Sequence, residues 1–238
     1  MSLKLSLIIP AYNEEKLIGA NLSKILSFLD KKTYQWEVVV VDDGSSDATG
    51  KIVEGLTSVK IRLIKLGKNQ GKGAALKAGF MAARGDFQIF SDADLSVGVE
   101  IVDPFLQELK RSDVVIASRR VKGSKIQIHQ SWLRENMGRV FTLLTQLLMG
   151  SKVSDFTCGF KGFTKGAAGN IFGKSLISRW AYDAEIIFLA EKLGYKIRQY
   201  PVSWTNRKDT RVRLGKVIFE SLADLIKIRL FELKGRYD

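Results

Sequence analysis

Short apolar runs alternate with segments of helical spacing along the first half of the chain, and no other feature restricts the fold as strongly. Five runs are predicted to be strands that are apolar on both faces: 4–10, 36–41, 59–65, 87–91 and 114–118. Strands that are buried on both faces are typical of parallel sheets covered by helices on each side. The sequence therefore predicts an α/β fold, with an open, mostly parallel central sheet and helices on both faces.

Segments between the strands have the apolar spacing of helices, at 14–29, 47–56 and 73–84. The second half is less regular and predicts helices at 132–149, 181–193 and 212–233, and an edge strand at 196–204 that tolerates Pro201. For 132–149 we expect an apolar face of Leu133, Met137, Val140, Phe141, Leu144, Leu147 and Leu148 opposite a polar face of Glu135, Arg139, Thr142 and Gln146. Such amphipathic helices either pack on the sheet or lie in a membrane interface.

Composition excludes several kinds of site. The chain is 45% hydrophobic and 26% charged, which is typical of a globular protein. With one cysteine, Cys158, no intramolecular disulfide can form, and we expect Cys158 and Trp180 to be core residues. With one histidine, His129, neither a histidine zinc site nor a Ser-His-Asp triad is expected. Any metal chemistry must use carboxylate oxygens, which favours Mg²⁺ or Mn²⁺.

Positive charge is in excess and is concentrated in one part of the chain. Lys and Arg outnumber Asp and Glu by 38 to 25, for a formal charge of +13. Residues 111–174 hold eleven Lys or Arg against three Asp or Glu. This half is predicted to meet an anion such as a phosphate, a nucleic acid or an acidic lipid surface, although a basic surface without a partner would have the same composition.

No apolar stretch reaches the roughly 18 to 20 residues of a membrane-spanning helix. The apolar run at 3–10 is too short for a signal peptide and leads directly into a structural motif. We therefore expect a chain that does not cross a membrane but that can lie on one.

Polar clusters follow three of the predicted strands. They are Ala11-Tyr12-Asn13-Glu14, Asp42-Asp43 and Asp92-Ala93-Asp94. Ligands of open α/β sheets bind beyond the carboxyl ends of the strands. The clusters therefore predict one ligand site at this edge of the sheet.

The pair Asp92 and Asp94 suits a divalent cation that is held against a diphosphate. Such a cation neutralises the charge that develops when a sugar–phosphate bond breaks. Surface acids at this spacing are common by chance. The prediction of a metal site therefore depends on the position of Asp92 and Asp94 directly after a buried strand. One of Asp42 and Asp43 is predicted to contact a base or ribose; the alternative is a helix cap or an Asx-turn.

The glycine-rich segment 67–73 leads into a predicted helix. Its glycines permit close backbone approach, and Lys72 could reach a phosphate or a base. Its spacing is neither that of a P-loop nor that of a dinucleotide fingerprint, and a plain turn is the alternative.

The runs IIPAYNEE, VVVVDDGSSD, NQGKGAALKAG and FSDAD resemble glycosyltransferase family 2, whose members are inverting enzymes with the GT-A fold. After residue 111, the runs IASRR, RENMGRVF, DFTCGFKGFTK and RWAYDAE are similar to those of dolichyl-phosphate glucosyltransferases, with dolichyl-phosphate mannosyltransferases as relatives. The resemblance covers residues 3–206. It implies one GT-A domain: a nucleotide-sugar half at 1–118, an acceptor half at 119–206 and an amphipathic helix at 207–238.

The resemblance also implies roles for individual residues. A nucleotide pocket would be lined by Pro10, Ala11, Tyr12, Glu14, Asp42 or Asp43, and Lys72. The metal and the diphosphate would be held by Asp92 and Asp94, phosphate by Arg119 and Arg134, and the sugar or acceptor by Asp183 and Glu185. Because Asp183 and Glu185 are two residues apart, we expect them to point to different sides of a helix, with one contacting sugar and the other capping or pairing.

A phosphate acceptor fits the basic half of the chain. A hydroxyl needs a general base, whereas a phosphate monoester, with a second pKa of about 6, is already a nucleophile at neutral pH. Arginines bind such a group well. Candidates in this half are Arg119, Arg120, Lys122, Lys125, Arg134 and Arg139, and ordinary surface charge or intrachain ion pairing is the alternative for several of them.

The expected activity is an inverting transfer of glucose from UDP-glucose to a polyprenyl phosphate, with Mg²⁺ or Mn²⁺, at the cytoplasmic face of a membrane to which the chain attaches peripherally. The catalytic group would comprise Asp94, Arg119, Arg134 and Asp183. GDP-mannose as donor, or a glycan hydroxyl as acceptor, remains an alternative. A nucleic-acid-binding protein would explain the charge but not the acidic clusters, so no nucleic-acid partner is expected.

Overall fold

The computed structural model describes residues 4–56, 58–128, 132–205 and 214–238, and within helices α5 (Trp132–Met149) and α8 (Leu214–Leu233) it describes side chains from residues 135 and 220 onward. The strands are β1 (Leu5–Ala11), β2 (Trp36–Asp42), β3 (Ile61–Lys65), β4 (Phe87–Ser91), β5 (Val114–Ser118), β6 (Lys125–Ile128), β7 (Phe160–Thr164), β8 (Ile197–Pro201) and β9 (Ser203–Thr205). The remaining helices are α1 (Ile18–Leu29), α2 (Thr49–Glu54), α3 (Lys72–Ala82), α4 (Val102–Leu109), α6 (Lys165–Lys174) and α7 (Tyr182–Lys192), with a 3₁₀ turn at Val99–Ile101.

Seven strands form the central sheet, in the order β3-β2-β1-β4-β7-β5-β8. All run parallel except β7, which lies antiparallel between β4 and β5. The predicted α/β fold with a mostly parallel sheet is thus confirmed. Strands β6 and β9 pair separately, so the predicted strand 196–204 is in fact two strands, and Pro201 ends the one at the sheet edge.

The reversed strand β7 was not predicted from the sequence. Because it runs against its neighbours, its beginning lies at the same sheet edge as the ends of β4 and β5. The segment 155–159, which leads into β7, therefore reaches the edge where the ligand site was predicted. The helices α4 and α6 were not predicted either.

The sheet has a core on each face. In β2, Val39 and Val41 belong to one buried cluster, whereas Val38 and Val40 belong to the other. Alternate side chains of a strand point to opposite faces, so a run of four valines is buried only when helices cover both sides. Cys158 is fully buried, as expected, but Trp180 is exposed and the prediction that it is a core residue is wrong.

Helix α5 has the predicted bounds but not the predicted faces. Leu143 and Leu147 are 56% and 72% exposed, while Thr142 and Thr145 are 6% and 0% exposed. Burial is possible because each threonine hydroxyl donates to a backbone carbonyl one turn earlier, at 2.9 and 2.8 Å. The predicted apolar face is therefore not the face that packs on the rest of the protein, because Val140, Leu147 and Leu148 are exposed whereas Thr142, from the predicted polar face, is buried.

Helix α8 packs against α5 and also has apolar residues facing outward. Its exposed row consists of Ile226, Leu230 and Leu233, and that of α5 consists of Val140, Leu143 and Leu147. We call these two sets the exposed apolar rows. Neither these helices nor any other helix in the described part of the chain is long and apolar enough to cross a membrane.

Candidate active site

The end of β4 and the start of α3 meet at an ion pair between Asp92 and Lys72. The Lys72 ammonium donates to Asp92 Oδ1 at 2.5 Å. The backbone of Asp92 is held by its N–H bond to the carbonyl of Gly159, at 3.0 Å. Gly71, just before the helix, has a φ of 105°, which a residue with a side chain rarely adopts. The predicted glycine-rich loop therefore delivers Lys72 to the carboxylate pair.

Lys161 is a functional candidate that was not found from the sequence. Its side chain is fully buried in β7, and its ammonium donates to Asp183 Oδ1 at 2.5 Å and to the Cys158 carbonyl at 2.9 Å. Asp183 lies in the first turn of α7. The available signal was a lone lysine in an otherwise apolar run, FKGF, because a buried lysine requires an anionic partner.

The charges of this site interact strongly. Burial lowers the pKa of Lys72, but three neighbouring carboxylates outweigh burial and raise that pKa above its ordinary value. These carboxylates belong to Asp92, Asp183 and Asp94. Burial raises the pKa of Asp183, although Lys161 and Lys72 oppose this shift. The charges of these three acids thus favour the protonated form of Lys72, and Asp92 is the one in direct contact with it.

Asp94 is positioned by its own turn. Its two carboxylate oxygens accept from the Ser96 N–H and the Ser96 hydroxyl, each at 2.8 Å. The intervening Leu95 has a φ of 51°, an uncommon value for a residue with a side chain. This turn fixes the Asp94 carboxylate just after the end of the strand.

The carboxylate pair fits a divalent cation. In the described part of the chain no three His, Cys, Asp or Glu side chains cluster as a complete metal site. Mg²⁺ in phosphate-binding enzymes is usually held by one or two carboxylates together with the phosphates, so two acids suffice. Space for Asp92 is created by Gly159, since a Cβ there would overlap Asp92 Oδ2.

Asp43 holds the glycine-rich loop. Its Oδ1 accepts from the Gln70 N–H at 2.8 Å, and its Oδ2 accepts from the Gly71 N–H at 2.8 Å and from Asn69 Nδ2 at 3.1 Å. Asp42 accepts from the Ser45 N–H at 2.9 Å, which is the turn that the sequence offers as the alternative to ligand contact. Contact of either aspartate with a nucleotide stays a prediction.

The first and second polar clusters lie together, as the strand order requires. The Asp43 N–H donates to the Ala11 carbonyl, and the Glu14 N–H donates to the Thr49 hydroxyl. Pro10 and Ala11 are buried at the end of β1, while Tyr12 is 45% exposed. Tyr12 is therefore the member of this cluster that most openly offers a side chain to a ligand.

Arg119 follows β5 and is engaged by Asp155. Its Nε and Nη2 donate to the two Asp155 oxygens, both at 2.7 Å, and Nη2 also donates to the Thr157 hydroxyl at 2.9 Å. Burial raises the pKa of Asp155, but Arg119 outweighs burial and holds that pKa below its usual range. The intrachain pairing that the sequence left open is thus observed for Arg119, and its contact with a phosphate stays a prediction.

The other predicted arginines differ in position. Arg120 and Arg139 are exposed at the surface; partial burial lowers the pKa of Arg120, Asp155 opposes this shift, and repulsion from Arg119 and Arg139 adds to it. Arg120 therefore lies in a group of neighbouring cations. Arg134 lies in α5, but its side chain is outside the described part of the chain.

Glu185 lies inside the protein and is held by other protein groups. It is 0% exposed, and its oxygens accept from the N–H groups of Leu176 and Ile177 and from the Tyr237 hydroxyl. Because three protein donors already occupy this buried carboxylate, its position does not fit the predicted substrate contact. Asp183 faces Lys161 and Lys72 instead, so the two acids do point to different sides of α7.

Comparison with known proteins identifies the family of the chain. The model of the family named Glycosyl transferase family 2 matches residues 6–172. The chain is 33% identical over 246 residues to a dolichyl-phosphate beta-glucosyltransferase of Dictyostelium discoideum, and the match covers 97% of this chain and 75% of the relative.

Two solved structures have a similar fold. Mannosyl-3-phosphoglycerate synthase from Rubrobacter xylanophilus matches with a TM-score of 0.72 at 18% identity, over 98% of this chain and 75% of that one. Glucosyl-3-phosphoglycerate synthase from Mycobacterium tuberculosis, in complex with Mn²⁺, UDP and glucosyl-3-phosphoglycerate, matches with a TM-score of 0.65 at 21% identity, over 95% of this chain and 80% of that one. The fold is of the GT-A type, and the chain belongs to glycosyl transferase family 2.

Proposed function

We propose that this glycosyltransferase moves glucose from UDP-glucose to a polyprenyl phosphate with inversion at the anomeric carbon. The observation that carries the proposal is the ion pair of Lys72 with Asp92 at the carboxyl edge of the sheet, where Asp94 follows in the next turn and Lys161 holds Asp183. The similar protein from Dictyostelium discoideum is named a dolichyl-phosphate beta-glucosyltransferase, which supports both the sugar and the acceptor.

On the donor side, Asp92 and Asp94 would hold Mg²⁺ or Mn²⁺. When bound, such an ion neutralises charge on the leaving diphosphate. Lys72 adds a fixed positive charge next to Asp92, suited to a phosphate oxygen. The loop that carries Lys72 is held by Asp43, so the second polar cluster contributes to donor binding at least by positioning.

On the acceptor side, exposed cations suit a lipid phosphate. Arg120 and Arg139 are both exposed, and the charge of Arg139 contributes to the lowered pKa of Arg120, an effect that a dianionic phosphate would offset. A phosphate monoester attacks without losing a proton to the protein, so this reaction needs no general base. Asp183, positioned by Lys161, would then contact the sugar rather than deprotonate the acceptor.

The exposed apolar rows support contact with a membrane surface. An acceptor with a polyprenyl tail resides in a bilayer, and the enzyme must reach its phosphate there. The exposed leucines of α5 and α8 suit the apolar layer of such a surface, and the formal charge of +13 suits its anionic headgroups. We propose peripheral attachment at the cytoplasmic face.

The test is transfer of label from a panel of nucleotide sugars to polyprenyl phosphate, with Mg²⁺ or Mn²⁺, followed by counting of the organic phase. UDP-glucose should be the best donor, and Asp94→Asn should reduce transfer by about a hundredfold or more. Asp30→Asn, at an exposed and weakly paired aspartate, is the matched control and should retain activity. Transfer from GDP-mannose would show that the proposed donor is wrong, and transfer only to a glycan hydroxyl would show that the proposed acceptor is wrong. Full activity of Asp94→Asn would disprove the metal site.

A further inference from the structure

The segment after α8 turns back into the protein and buries a tyrosine. Gly235 has a φ of 64°, its N–H donates to the Glu232 carbonyl, and the Arg236 N–H donates to the Phe231 carbonyl, each at 3.0 Å. This pair of bonds is the Schellman motif, which ends a helix and reverses the chain. The reversal places Tyr237 against α7, where it is 0% exposed.

The Tyr237 ring and its hydroxyl have different partners. The ring packs against Phe188 and Phe231, with centroid distances of 6.1 and 6.2 Å. The hydroxyl donates to Glu185 Oε1 at 2.6 Å. A phenylalanine at this position could make the same ring contacts. The hydroxyl of Tyr237 therefore contributes through its hydrogen bond to the buried Glu185 carboxylate.

Glu185 connects Tyr237 to the segment before α7. Its Oε1 accepts from the Leu176 N–H at 2.8 Å, and its Oε2 accepts from the Ile177 N–H at 2.9 Å. A buried carboxylate with several donors is a rigid anchor, and loss of one donor leaves an acceptor unsatisfied. The position of 176–178 therefore depends on how Glu185 is held.

The same segment is packed directly on the start of α3. The Ser178 carbonyl accepts from the Ala74 N–H at 3.1 Å. A Cβ on Gly73 would lie 2.5 Å from the Ile177 carbonyl, and one on Gly71 would lie 2.5 Å from the Ser178 carbonyl. Only glycines allow this approach, and the residue between them is Lys72.

We infer that Tyr237 is a positioning residue for the donor site. Its hydroxyl holds Glu185, Glu185 holds 176–178, and this segment holds the start of α3 so that Lys72 reaches Asp92. The end of α8, a helix with an exposed apolar row, is thereby linked to the donor site through direct contacts. The part of the inference that concerns UDP rests on the proposed function.

The test compares Tyr237→Phe with Tyr34→Phe in the full chain. The Tyr34 hydroxyl also donates to a carboxylate, Asp103, at 2.8 Å, but it lies away from the start of α3. Hydrogen exchange at the amides of Ala74, Leu176 and Ile177 should be about tenfold faster in Tyr237→Phe and unchanged in Tyr34→Phe.

A binding measurement gives the second readout. With Mn²⁺ present, the dissociation constant for UDP should rise about three- to tenfold in Tyr237→Phe only. In turnover, KM for the nucleotide sugar should rise while KM for the lipid phosphate stays constant. A merely structural tyrosine would lower the melting temperature and leave both readouts unchanged.

The outcomes distinguish a failure of the role inferred for Tyr237 from a failure of the proposed UDP-sugar donor. Unchanged exchange at Ala74 in folded Tyr237→Phe overturns the inference, as does an equal effect of Tyr34→Phe. If the wild-type chain binds no UDP, the proposed donor is wrong, and exchange at Ala74 alone decides the role of Tyr237. If Tyr237→Phe does not fold, the test uses Glu185→Gln, which removes one acceptor for the same segment. Hydrogen exchange at the amides of Ile177 and Ala74 must then be faster than in the wild-type chain. Unchanged exchange at these amides overturns the inference.

Discussion

Lys161 places a full positive charge inside the protein. Its ammonium has Asp183, the Cys158 carbonyl and the face of the Phe90 ring, 5.2 Å away, as neighbours. A buried charge of this kind is tolerated only with a partner, and removing one partner leaves the other buried and uncompensated. At the scale of the residue, Lys161 therefore stabilises the fold and the candidate site together.

Replacing Lys161 with methionine should lower the free energy of unfolding by about 3–5 kcal/mol, measured by urea denaturation at neutral pH. The loss should depend on pH. Burial already raises the pKa of Asp183, and without Lys161 that pKa rises further. An acid with a raised folded-state pKa stays protonated in the folded protein, so stability falls as pH rises above the unfolded value of about 3.9. The decrease in the free energy of unfolding caused by Lys161→Met should therefore be larger at pH 8 than at pH 5.

Lys65→Met is the matched control, because Lys65 pairs with Glu54 at 2.7 Å and the two side chains are 51% and 55% exposed. Exposed pairs contribute about 1 kcal/mol or less. A cost for Lys161→Met as small as that of the control would mean that Lys161 is not a buried partner of Asp183.

Strand β7 determines which side chains face the end of β4. Because it runs antiparallel, it brings Gly159 against Asp92 at its beginning and carries Lys161 towards α7. A parallel strand in this position would place its beginning at the opposite edge of the sheet. At the scale of the element, the antiparallel strand β7 adds Lys161 to the charged side chains Asp92 and Lys72 that lie at the end of β4 and the start of α3.

Gly159→Ala tests this placement. The added Cβ would overlap Asp92 Oδ2, so the carboxylate must move and its contact with Lys72 must weaken. Isothermal titration with UDP and Mn²⁺ should show affinity reduced by about tenfold or more, which corresponds to about 1.4 kcal/mol.

The control for this change is Gly169→Ala in α6, where the added Cβ meets nothing within 4 Å. It should leave UDP affinity unaltered and stabilise the chain by about 0.5–1 kcal/mol, because alanine favours a helix interior over glycine. Equal UDP affinities of the two variants would show that Asp92 is not required in its described position.

The whole molecule has a basic charge and two exposed apolar rows on neighbouring helices. Exposed leucines on both α5 and α8 contrast with the other helices, whose apolar residues mostly enter the two cores. Apolar contact and attraction to anionic headgroups add together at a membrane surface. At this scale the chain is expected to bind vesicles that contain acidic lipids.

The double change Leu143→Gln with Leu147→Gln should reduce sedimentation with phosphatidylcholine–phosphatidylserine vesicles on the order of tenfold. Binding of the wild-type chain should also weaken as salt rises, because salt screens the headgroup attraction. The double change Val59→Gln with Met81→Gln, at exposed apolar residues outside α5 and α8, is the control and should bind normally. Equal binding by both double variants would argue against membrane contact through α5.

Local patterns in the sequence determined the elements that depend on near neighbours. The strands at Phe87–Ser91 and Val114–Ser118 and the helix at Trp132–Met149 have the bounds that periodicity predicts. Since parallel strands end at one edge, the alternation of strands and helices was enough to place the polar clusters after β1, β2 and β4 together. Apolar periodicity carries this information because burial on one or two faces repeats with the geometry of the element.

Tertiary structure alone decided the partners of the charged side chains and the direction of β7. Arg119 and Asp155 are 36 residues apart, and Asp43 is 26 to 28 residues from the loop that it holds, and no local pattern links such positions. The faces of α5 were likewise not predicted correctly, because a buried threonine can satisfy its hydroxyl within its own helix and so lie on the packed face. Sequence periodicity reports that a face is buried or polar; which residues meet across the core depends on packing of the whole chain.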